Sequence, residues 1–318
     1  MSEGASERRA APGSSPPWIS ADEVFSRVGF EAAIHALQRE LRNGFEPGND
    51  FSRSILDVDN GQLLVMPSRS RRFVGVKVAT VAPKNPDLGK ARIQATYLLM
   101  DAATLSPIAF LDGTALTALR TPATSAAVAD YLAPHTVDHL VVFGSGPQAR
   151  GHIQALATIR TLHRVTIVAR NRDRSAALAE ELHAAGMIAR TGDPADVRDA
   201  QMIVCATTAR SPLFDGIAPP DDSCTIAVGS HEPQARELDS ALAARAQIVV
   251  EDVAVALRES GDVIIPIAEG VIQPNELIAM RDIVTGKTPV DHSRPRIFTS
   301  SGMSWEDLVI ASEVYENS

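Results

Sequence analysis

Short apolar runs alternate with helical patterns through the second half of the chain, and this alternation constrains the fold more than any other sequence feature. The helical patterns lie at Gln148–Arg160, Arg174–Ala185 and Arg236–Ala244. The apolar runs are Leu140–Phe143, Val165–Ala169, Met202–Ala206, Thr225–Val228 and Ile248–Glu251. Strands that are apolar throughout and alternate with helices are typical of a parallel sheet with helices on both faces. The pattern therefore predicts an α/β fold with a doubly wound parallel sheet.

A glycine motif occupies the first of these strand-to-helix junctions. The segment Gly144–Ala149, with the sequence GSGPQA, directly follows the run His139–Phe143 and precedes a helical pattern. In a dinucleotide-binding turn the first glycine permits the tight bend, the second lets the backbone approach a pyrophosphate, and the alanine keeps helix and strand close. The pyrophosphate then binds free N–H groups at the helix N-terminus. The motif predicts a Rossmann-type nucleotide site that includes Gly144, Gly146, Pro147 and Gln148.

The residues after the second strand indicate which dinucleotide binds. Sites for NAD usually carry an acidic residue there, which binds the ribose 2′-hydroxyl. Here the strand Val165–Ala169 runs into Arg170, Asn171 and Arg172, and the first acid is Asp173. Two guanidinium groups suit the charged 2′-phosphate of NADP, so the sequence predicts NADPH as the cofactor, with NADH as a second candidate. The alternative is a solvated basic loop that binds nothing.

The first part of the chain has a different pattern. A helix is predicted over Ala21–Asn43, and strand-like runs follow at Gln62–Met66, Phe73–Val81, Ala95–Met100 and Pro107–Leu111, the last of which runs into a turn at Asp112-Gly113. Strands that follow one another without intervening helices indicate an antiparallel or mixed sheet. Near the C-terminus, a strand at Arg296–Thr299 and a helix at Trp305–Tyr315 are expected to return to this part of the fold.

Three cationic side chains stand at the edges of apolar or small-residue segments in this first part. They are Arg53, Lys77 within Phe73–Val81, and Arg120 within Thr117–Thr121. A lysine in an apolar run is costly to bury unless an anion pairs with it. That anion could be a neighbouring carboxylate of the protein. If the three cations converge, they would instead form a socket for a substrate carboxylate.

Composition excludes several classes of protein. The chain has 318 residues and a net charge of −9, which argues against nucleic-acid or anionic-membrane partners. No run approaches the roughly 18 consecutive apolar residues of a membrane helix, and the N-terminal residues lack the apolar core of a secretory signal. The two cysteines, Cys205 and Cys224, have no metal-ligand spacing, and no metal site is expected. A cytoplasmic protein is predicted.

Several motifs, taken in order, resemble the ornithine cyclodeaminase/mu-crystallin family from about Ser20 to Tyr315. In the first half of the chain they are Leu63–Pro67, Val74–Lys77, Leu116–Thr121 and the glycine motif Gly144–Ala149. In the second half they are Cys205–Thr208, Val228–Pro233, Arg236–Asp239, Phe298–Gly302 and Glu306–Leu308. This number of motifs in this order makes a chance match implausible.

The resemblance implies a domain organisation. A Rossmann domain, residues 120–295, would be inserted into a smaller α+β substrate-binding domain, residues 19–119 with 296–318, which also forms a homodimer. The substrate domain has few residues and many apolar strands, which independently favours completion of its core against a second copy. Residues 1–18 are rich in Ser, Pro, Gly and charge, and they are expected to form a disordered tail.

The resemblance also implies roles for individual residues. Those that match the family's binding site for the substrate carboxylate are Arg53, Lys77 and Arg120, with Met66 beside them. Lys77 would in addition lie near the reacting carbon. The residues that fall where the family lines the nicotinamide and ribose are Thr121, Thr207, Val228, Ser300 and Ser301. The family's chemistry is hydride transfer between nicotinamide and the α-carbon of an amino acid or its imine.

Two departures from the family pattern bear on the substrate. Cyclodeaminases of the family carry a glutamate where this chain has Leu64, and a catalytic aspartate where it has His231. Leucine cannot pair with a substrate ammonium, and an imidazole is neutral or positive near neutral pH. His231 could act as an acid/base or proton relay, or it could be a structural imidazole.

Together these features predict a homodimeric NAD(P)H-dependent oxidoreductase that reduces an α-imino acid to an α-amino acid. Cyclic ketimines such as pyrroline- or piperideine-2-carboxylate are the leading substrates, and Lys77 and His231 are the candidate catalytic residues. Three alternatives stay open: a reversible L-amino-acid dehydrogenase of the alanine type, an ornithine cyclodeaminase, and a non-enzymatic mu-crystallin-like protein that binds NADPH or a small ligand.

Overall fold

The computed structural model describes residues 15–318, which form two β-sheets with helices packed on them. Residues 1–14, and with them most of the predicted tail, lie outside this range. The prediction that the tail includes Trp18 is wrong, because Trp18 lies in a short strand and pairs with Phe110. None of the helices formed by residues 15–318 is long and apolar enough to cross a membrane.

The first sheet is mixed, as the sequence predicted. Its strands are β1 (Trp18–Ile19), β2 (Ser54–Val58), β3 (Gly61–Arg69), β4 (Phe73–Val81), β5 (Ile93–Asp101) and β6 (Pro107–Asp112). Their spatial order is β1-β6-β5-β4-β3-β2. The strands from β2 to β6 are antiparallel, whereas β1 joins β6 in parallel. The sequence interpretation missed β1 and the edge strand β2.

Two helices replace the single helix that was predicted over Ala21–Asn43. They are α1 (Ala21–Arg27) and α2 (Phe30–Arg42). Reciprocal hydrogen bonds between Ser20 and Glu23 begin α1, which is a favourable N-terminal arrangement for a helix. The helix ends because Val28 has an extended backbone, and Gly29 then starts α2.

The predicted turn at Asp112-Gly113 is wrong, because a long helix, α3 (Gly113–Leu132), begins there. The Asp112 carboxylate accepts hydrogen bonds from the N–H groups of Thr114 and Ala115, both at 2.9 Å. Asp112 is therefore a helix N-cap. Most residues of α3 are buried on all sides, which removes the polar face by which a surface helix is recognised in a sequence.

The second sheet is parallel throughout, which confirms the predicted fold class. Its strands are β7 (Val137–Phe143), β8 (Leu162–Val168), β9 (Ala189–Thr191), β10 (Met202–Cys205), β11 (Cys224–Ala227), β12 (Gln247–Val250), β13 (Leu277–Ala279) and β14 (Arg296–Thr299). Their order is β13-β12-β14-β11-β10-β7-β8-β9. The five predicted apolar runs all lie in this sheet.

Helices connect the strands of the parallel sheet. They are α4 (Pro147–Ile159), α5 (Arg172–Ala184), α6 (Ser240–Ala243), α7 (Val253–Glu259), α8 (Gly261–Ala268) and α9 (Met280–Val284). The first two lie where helices were predicted. The helix predicted over Arg236–Ala244 is reduced to the short α6, and the N–H groups of Glu237 and Leu238 donate to the Asp262 carboxylate instead of to helical carbonyl groups.

The C-terminal segment connects the two sheets. β14 lies between β11 and β12, so the strand Arg296–Thr299 belongs to the parallel sheet and does not return to the first sheet as expected. The last helix, α10 (Ser304–Glu316), does return: it packs on β3, β4 and β5 and on α2 and α3. The chain therefore passes from one sheet to the other between Thr299 and Ser304. The domain boundaries themselves stay predictions.

Helix α3 lies between the sheets and positions side chains of the site. It contacts β5 of the mixed sheet and β11 and β14 of the parallel sheet. Its contact with α4 is close, because a Cβ at Gly151 would lie only 2.7 Å from Pro122 Cγ. Thr117, Arg120 and Thr121 are spaced three and four residues apart, so they share one face of the helix.

Candidate functional site

A cavity of about 1650 Å³ lies between the two sheets. Its walls come from β3, β4 and α3 and from the loops that follow β7, β8, β10, β11 and β14. Every site residue predicted from the sequence lines it: Arg53, Met66, Lys77, Arg120, Thr121, Gly144, Gly146, Pro147, Gln148, Arg170, Asn171, Arg172, Thr207, Val228, His231, Ser300 and Ser301. The predicted nucleotide and substrate residues thus share one space, while the role of each residue stays a prediction.

The glycine turn has the geometry that a dinucleotide needs. Gly144 has a φ of +117°, and a Cβ there would lie 2.5 Å from the Ala206 carbonyl oxygen, so a side chain does not fit. Gly146 begins α4 without a side-chain cap, and a Cβ there would meet no atom within 4 Å. Free N–H groups of the helix therefore stand beside open space, which fits an anionic pyrophosphate.

Three arginines surround the end of β8. Arg170, Arg172 and Arg174 all line the cavity. Asn171 fixes this loop, since its side-chain oxygen accepts a hydrogen bond of 2.9 Å from the Arg174 N–H. Arg172 lies 3.5 Å from Asp193, with both side chains exposed, and within residues 15–318 no carboxylate pairs with the guanidinium of Arg170 or Arg174. The loop has cationic groups available for a phosphate.

A buried glutamate that the sequence interpretation missed positions the loops after β10 and β11. Glu237 accepts hydrogen bonds from the Thr207 N–H at 2.8 Å, from the Thr207 hydroxyl at 2.6 Å and from the Gly229 N–H at 2.7 Å. Burial raises the pKa of Glu237, although these hydrogen bonds act in the opposite direction. Thr207 is therefore held in place at the cavity wall.

Lys77 is buried in β4 against a carboxylate from α10. Its Nζ lies 2.7 Å from Asp307 Oδ2 and 3.3 Å from Thr117 Oγ1, and only 3% of the lysine side chain is exposed. Burial lowers the pKa of Lys77 to about 8, although the attraction of Asp307 raises it. The ammonium can therefore exchange a proton close to neutral pH.

Arg120 stands beside Lys77 and is held by two acidic residues of α10. Its Nη1 donates to Glu306 Oε2 at 2.7 Å, and its Nε lies 3.3 Å from Asp307 Oδ1. Gly302, with a φ of +81°, packs against the guanidinium, because a Cβ there would lie 2.5 Å from Arg120 Nη1. These contacts leave Arg120 Nη2 without a hydrogen-bond partner among the described residues, and it can serve an anion in the cavity.

Arg53 is held at the same end of the cavity. It pairs with Glu259, and its Nη1 donates to the carbonyl oxygens of Ser301 and Gly302 at 3.1 and 3.2 Å. The three cations therefore converge, as the socket hypothesis required. Each also has a carboxylate partner, as the alternative required, and the binding of a substrate carboxylate by these cations stays a prediction.

The loop Ser300–Gly302 is fixed from its other side by Glu251. This buried glutamate accepts hydrogen bonds from the Ser300 hydroxyl at 2.6 Å and from the N–H groups of Ser301 and Gly302, both at 3.0 Å. The loop follows β14 directly and lines the cavity. It therefore connects the parallel sheet to the cationic end of the site.

His231 lies on the loop after β11 and is exposed at the cavity rim. Surrounding protein atoms nevertheless desolvate the ring, and this effect together with the charge of Arg53 lowers the pKa of His231. Its imidazole is therefore neutral at neutral pH and can accept or relay a proton.

The sequence interpretation found the cations but missed the acids that hold them. The missed residues are Glu251, Glu259, Glu306 and Asp307, with Arg174, Glu237 and Thr117 elsewhere in the site. A signal for two of them was present, since Glu306 and Asp307 are adjacent acids inside an apolar helical segment. Buried carboxylates in such a position need cationic partners.

The sequence of this chain is similar to those of known proteins over nearly their full length. A sequence profile of the ornithine cyclodeaminase/mu-crystallin family matches residues 21–318. The Delta(1)-pyrroline-2-carboxylate reductase of Bacillus cereus is 33% identical over 316 residues, which cover 94% of this chain and 95% of that protein. The ketimine reductase mu-crystallin of Rattus norvegicus is 30% identical, with 95% of this chain and 97% of that protein covered.

A solved structure has the same fold. The Delta(1)-pyrroline-2-carboxylate reductase of Thermococcus litoralis, in complex with NADH and L-proline, superimposes with a TM-score of 0.89 at 29% identity. The alignment covers 94% of this chain and 96% of that one. The similarity of the backbone therefore includes both sheets.

Proposed function

The chain belongs to the ornithine cyclodeaminase/mu-crystallin family, and from that premise we propose that it is an NAD(P)H-dependent oxidoreductase that reduces an α-imino acid to an L-amino acid. A cyclic ketimine such as pyrroline- or piperideine-2-carboxylate is the leading substrate. The observation that carries the proposal is that Lys77 and Arg120 share one cavity with the glycine turn at Gly144 and Gly146. The names of the relatives, a pyrroline-2-carboxylate reductase and a ketimine reductase, support the same chemistry.

NADPH is the preferred cofactor of the proposal, and NADH is the second. The uncapped start of α4 accommodates the pyrophosphate that both share, because free N–H groups there attract anions. Arg170 and Arg172, with Arg174 beside them, favour the additional phosphate of NADPH. NADH is bound in the Thermococcus litoralis relative, which supports retention of NADH as an alternative.

The cationic residues bind and orient the substrate. Lys77 and Arg120, with Arg53 at the same end, hold its carboxylate. A carboxylate held by more than one side chain cannot rotate freely, and this restricts which face of the imine is presented to the nucleotide. When bound, the reduced nicotinamide supplies a hydride to the imine carbon. The nitrogen needs a proton as well, and Lys77 holds one at Nζ at neutral pH because its pKa is about 8. Lys77 is therefore the proposed acid, and His231 at the rim can pass a proton inward from solvent.

The cavity does not suit a substrate with an ammonium side chain. Of residues 15–318, the acids that line it are Asp193 and Glu232. Asp193 lies near Arg172, and Glu232 bonds Arg210 at 2.6 Å. The wall near Lys77 is apolar, and it includes Ile55, Leu64, Ala79 and Val81. An ornithine ammonium would have no partner there, which favours a ketimine over cyclodeamination.

NADPH oxidation tests the proposal directly. The purified protein should oxidise NADPH when pyrroline- or piperideine-2-carboxylate is added. It should respond much less to pyruvate with ammonia, which an alanine-type dehydrogenase would use. Ornithine with NAD should give no proline, the product expected of a cyclodeaminase. Binding of NADPH without turnover of any imine would support the non-enzymatic alternative and contradict the proposal.

A matched pair of variants ties turnover to the site. Lys77→Met removes the buried ammonium and should lower kcat by about a hundredfold or more, a magnitude typical of losing a positioned acid. Lys90→Met removes an exposed lysine outside the cavity and should leave turnover at the parent level. NADPH affinity should be similar in both variants. Parent-like turnover in Lys77→Met would show that the acid is placed wrongly.

A homodimer is also part of the proposal. The mixed sheet is apolar on both faces: the inner face packs on α3 and α10, while the outer face carries Leu56 and Val78, which are 51% and 42% exposed. Strands that are apolar on both faces are typical of sheets covered on both sides. A second copy is the proposed cover. A cytoplasmic location stays a proposal that rests on the sequence alone.

A further inference from the structure

Two buried glutamates behind the cationic end of the cavity differ in how well their oxygens are satisfied. Both oxygens of Glu251 accept hydrogen bonds, from the Ser300 hydroxyl and from the N–H groups of Ser301 and Gly302. Glu306 has only one satisfied oxygen, Oε2, which accepts from Arg120. Its Oε1 is fully buried without a hydrogen-bond donor among the described residues. A buried carboxylate oxygen with no donor is costly.

The two carboxyl groups belong to one buried cluster: Glu251 accepts from the Gly302 N–H, and Glu306 accepts from Arg120, whose guanidinium packs against Gly302. Two ionised carboxylates in that position repel strongly in a buried site, so such pairs share a proton. Glu251 is the member whose two oxygens both accept hydrogen bonds from the Ser300–Gly302 loop, and it is thereby stabilised as the anion. Burial and the adjacent Glu251 carboxylate raise the pKa of Glu306 well above its ordinary value.

The charges around the pair balance only if one of them is neutral. The cations that face this cluster are Lys77 from β4, Arg120 from α3 and Arg53 before β2. The anions are Asp307, Glu259 and Glu251. Arg258 also bonds Glu259, but it is exposed outside the site. With Glu306 neutral the three cations match the three anions, whereas an ionised Glu306 would make the cluster negative and would repel a substrate carboxylate.

We propose that Glu306 is a neutral carboxylic acid whose Oε1–H donates a hydrogen bond to Glu251. Glu306 is then a positioning residue. It accepts a hydrogen bond from Arg120 and donates one to Glu251, which in turn holds the Ser300–Gly302 loop. The acid–carboxylate pair connects the residues proposed to bind substrate with the loop proposed to line the nicotinamide. The link to catalysis rests on the proposed function, but the protonation state does not.

Infrared spectroscopy reads the protonation state without any substrate. The parent protein at neutral pH should show the carbonyl stretching band of a buried, protonated carboxylic acid that is absent from Glu306→Gln. Glu316→Gln, on the same helix but exposed, should keep the band. An unchanged band in Glu306→Gln would overturn the proposal, whether or not the parent reduces an imine.

Steady-state kinetics then separate positioning from simple packing. Glutamine can still accept from Arg120 and donate to Glu251, so Glu306→Gln should lose less than about tenfold in kcat/KM. Glu306→Ala breaks the connection and should raise the KM for the ketimine by about a hundredfold, with NADPH affinity nearly unchanged. Equal losses in the two variants would contradict the positioning role.

The reverse substitution completes the test. Glu251→Gln places an amide N–H₂ against groups that are themselves donors, so it should cost more activity than Glu306→Gln. If Glu251 were the neutral member, the order would be reversed. Thermal unfolding of all variants shows which of them retain the fold. Absence of turnover in the parent would refute the proposed function, and the infrared band would still decide the state of Glu306.

Discussion

The positive charge of Lys77 is needed for the proposed chemistry, but burial makes the ammonium easier to deprotonate than an exposed lysine. Its ammonium must be protonated to bind a carboxylate and to supply a proton. Burial lowers the pKa of Lys77 to about 8, so the cation is present below that pH and is lost as pH rises through it. We expect kcat/KM for ketimine reduction to fall about tenfold per pH unit above that midpoint.

A pH–rate profile of the parent beside Lys77→Arg checks this expectation. Arginine stays charged throughout the range, so whatever activity the variant keeps should lack the alkaline decline. NADPH binding measured over the same range controls for loss of cofactor. A parent profile that stays level well above pH 8 would show that another group supplies the charge.

Gly302 offers a test of the geometry around Arg120. A Cβ at Gly302 would lie 2.5 Å from Nη1 and 2.6 Å from Nη2 of the guanidinium, which is buried and can make room only by giving up its contacts with Glu306 and Asp307. Gly302→Ala should therefore displace Arg120 and raise the KM for the ketimine by about tenfold to a hundredfold, the equivalent of one charge-assisted hydrogen bond.

The control for this substitution is Gly270→Ala. Gly270 has a similar φ of +74°, but a Cβ there would meet no atom within 4 Å. Both variants should share the stability cost of a non-glycine residue at positive φ, about 1–2 kcal/mol, and only Gly302→Ala should change KM. Equal KM values for the two variants would refute the expected displacement of Arg120.

At the residue scale, sequence reasoning located charged groups better than it located their partners. Arg53, Lys77 and Arg120 stand out because a cation in an apolar segment needs an explanation. Glu251 and Glu259 give no such signal, because an acid directly after a strand or at the end of a helix is ordinary on a protein surface. Their burial depends on where α7 and β14 pack, and that is a long-range property of the fold.

The loop between β8 and α5 is the element that should select the cofactor. Replacement of both Arg170 and Arg172 by alanine should weaken NADPH binding by about a hundredfold or more, because each guanidinium contact to a phosphate contributes about 1.5–3 kcal/mol. NADH binding should change little, since it lacks that phosphate. Fluorescence titration of both cofactors measures the two dissociation constants.

Arg198→Ala is the matched control for the loop variant. Arg198 is exposed and lies outside the cavity, so its loss lowers the net charge near the nucleotide domain without removing a proposed phosphate contact. It should leave the ratio of NADPH to NADH affinity unchanged. Equal affinity of the parent for both cofactors would refute the assignment of the loop.

At the element scale, the strands of the parallel sheet were the easiest to predict and α3 was the hardest. Strands such as β7 and β10 are continuous apolar runs with clear ends. Helix α3 is rich in alanine and threonine and is buried on all sides, so its sequence carries no amphipathic period. Its start at Asp112-Gly113 also resembles a hairpin turn, because the same residue pair suits both structures.

At the scale of the whole molecule, the outer face of the mixed sheet predicts self-association. Sedimentation of the parent at micromolar concentration should show a dimer. Substitution of Leu56 and Val78 by lysine places charge on the exposed outer face, and the double variant should sediment as a monomer with unchanged circular dichroism. The same substitutions at Ile188 and Ile217, which are exposed elsewhere, should leave the dimer intact. A monomeric parent would refute the assembly.

The sequence predicted the types of the two sheets, but it did not predict which sheet the strand β14 joins. Alternating elements predicted the parallel sheet, and consecutive strands predicted the mixed one. The position of β14 could not be predicted, because Arg296–Thr299 suits the interior of either sheet and only the packed structure shows which one receives it. The approach of Arg120 to the nucleotide loops depends on that choice, since the loop that follows β14 directly ends at Gly302, which packs against Arg120.

The position of β14 also has a consequence for how the protein is made. Because this strand comes from the last part of the chain and fills the gap between β11 and β12, both neighbours leave the ribosome long before their partner does. Each therefore presents an unpaired apolar edge throughout synthesis of residues 251–295, and such edges promote association between chains. The nascent polypeptide should thus depend on chaperones more than the finished one, and deletion of β14 and α10 should yield an aggregating product rather than a smaller folded protein.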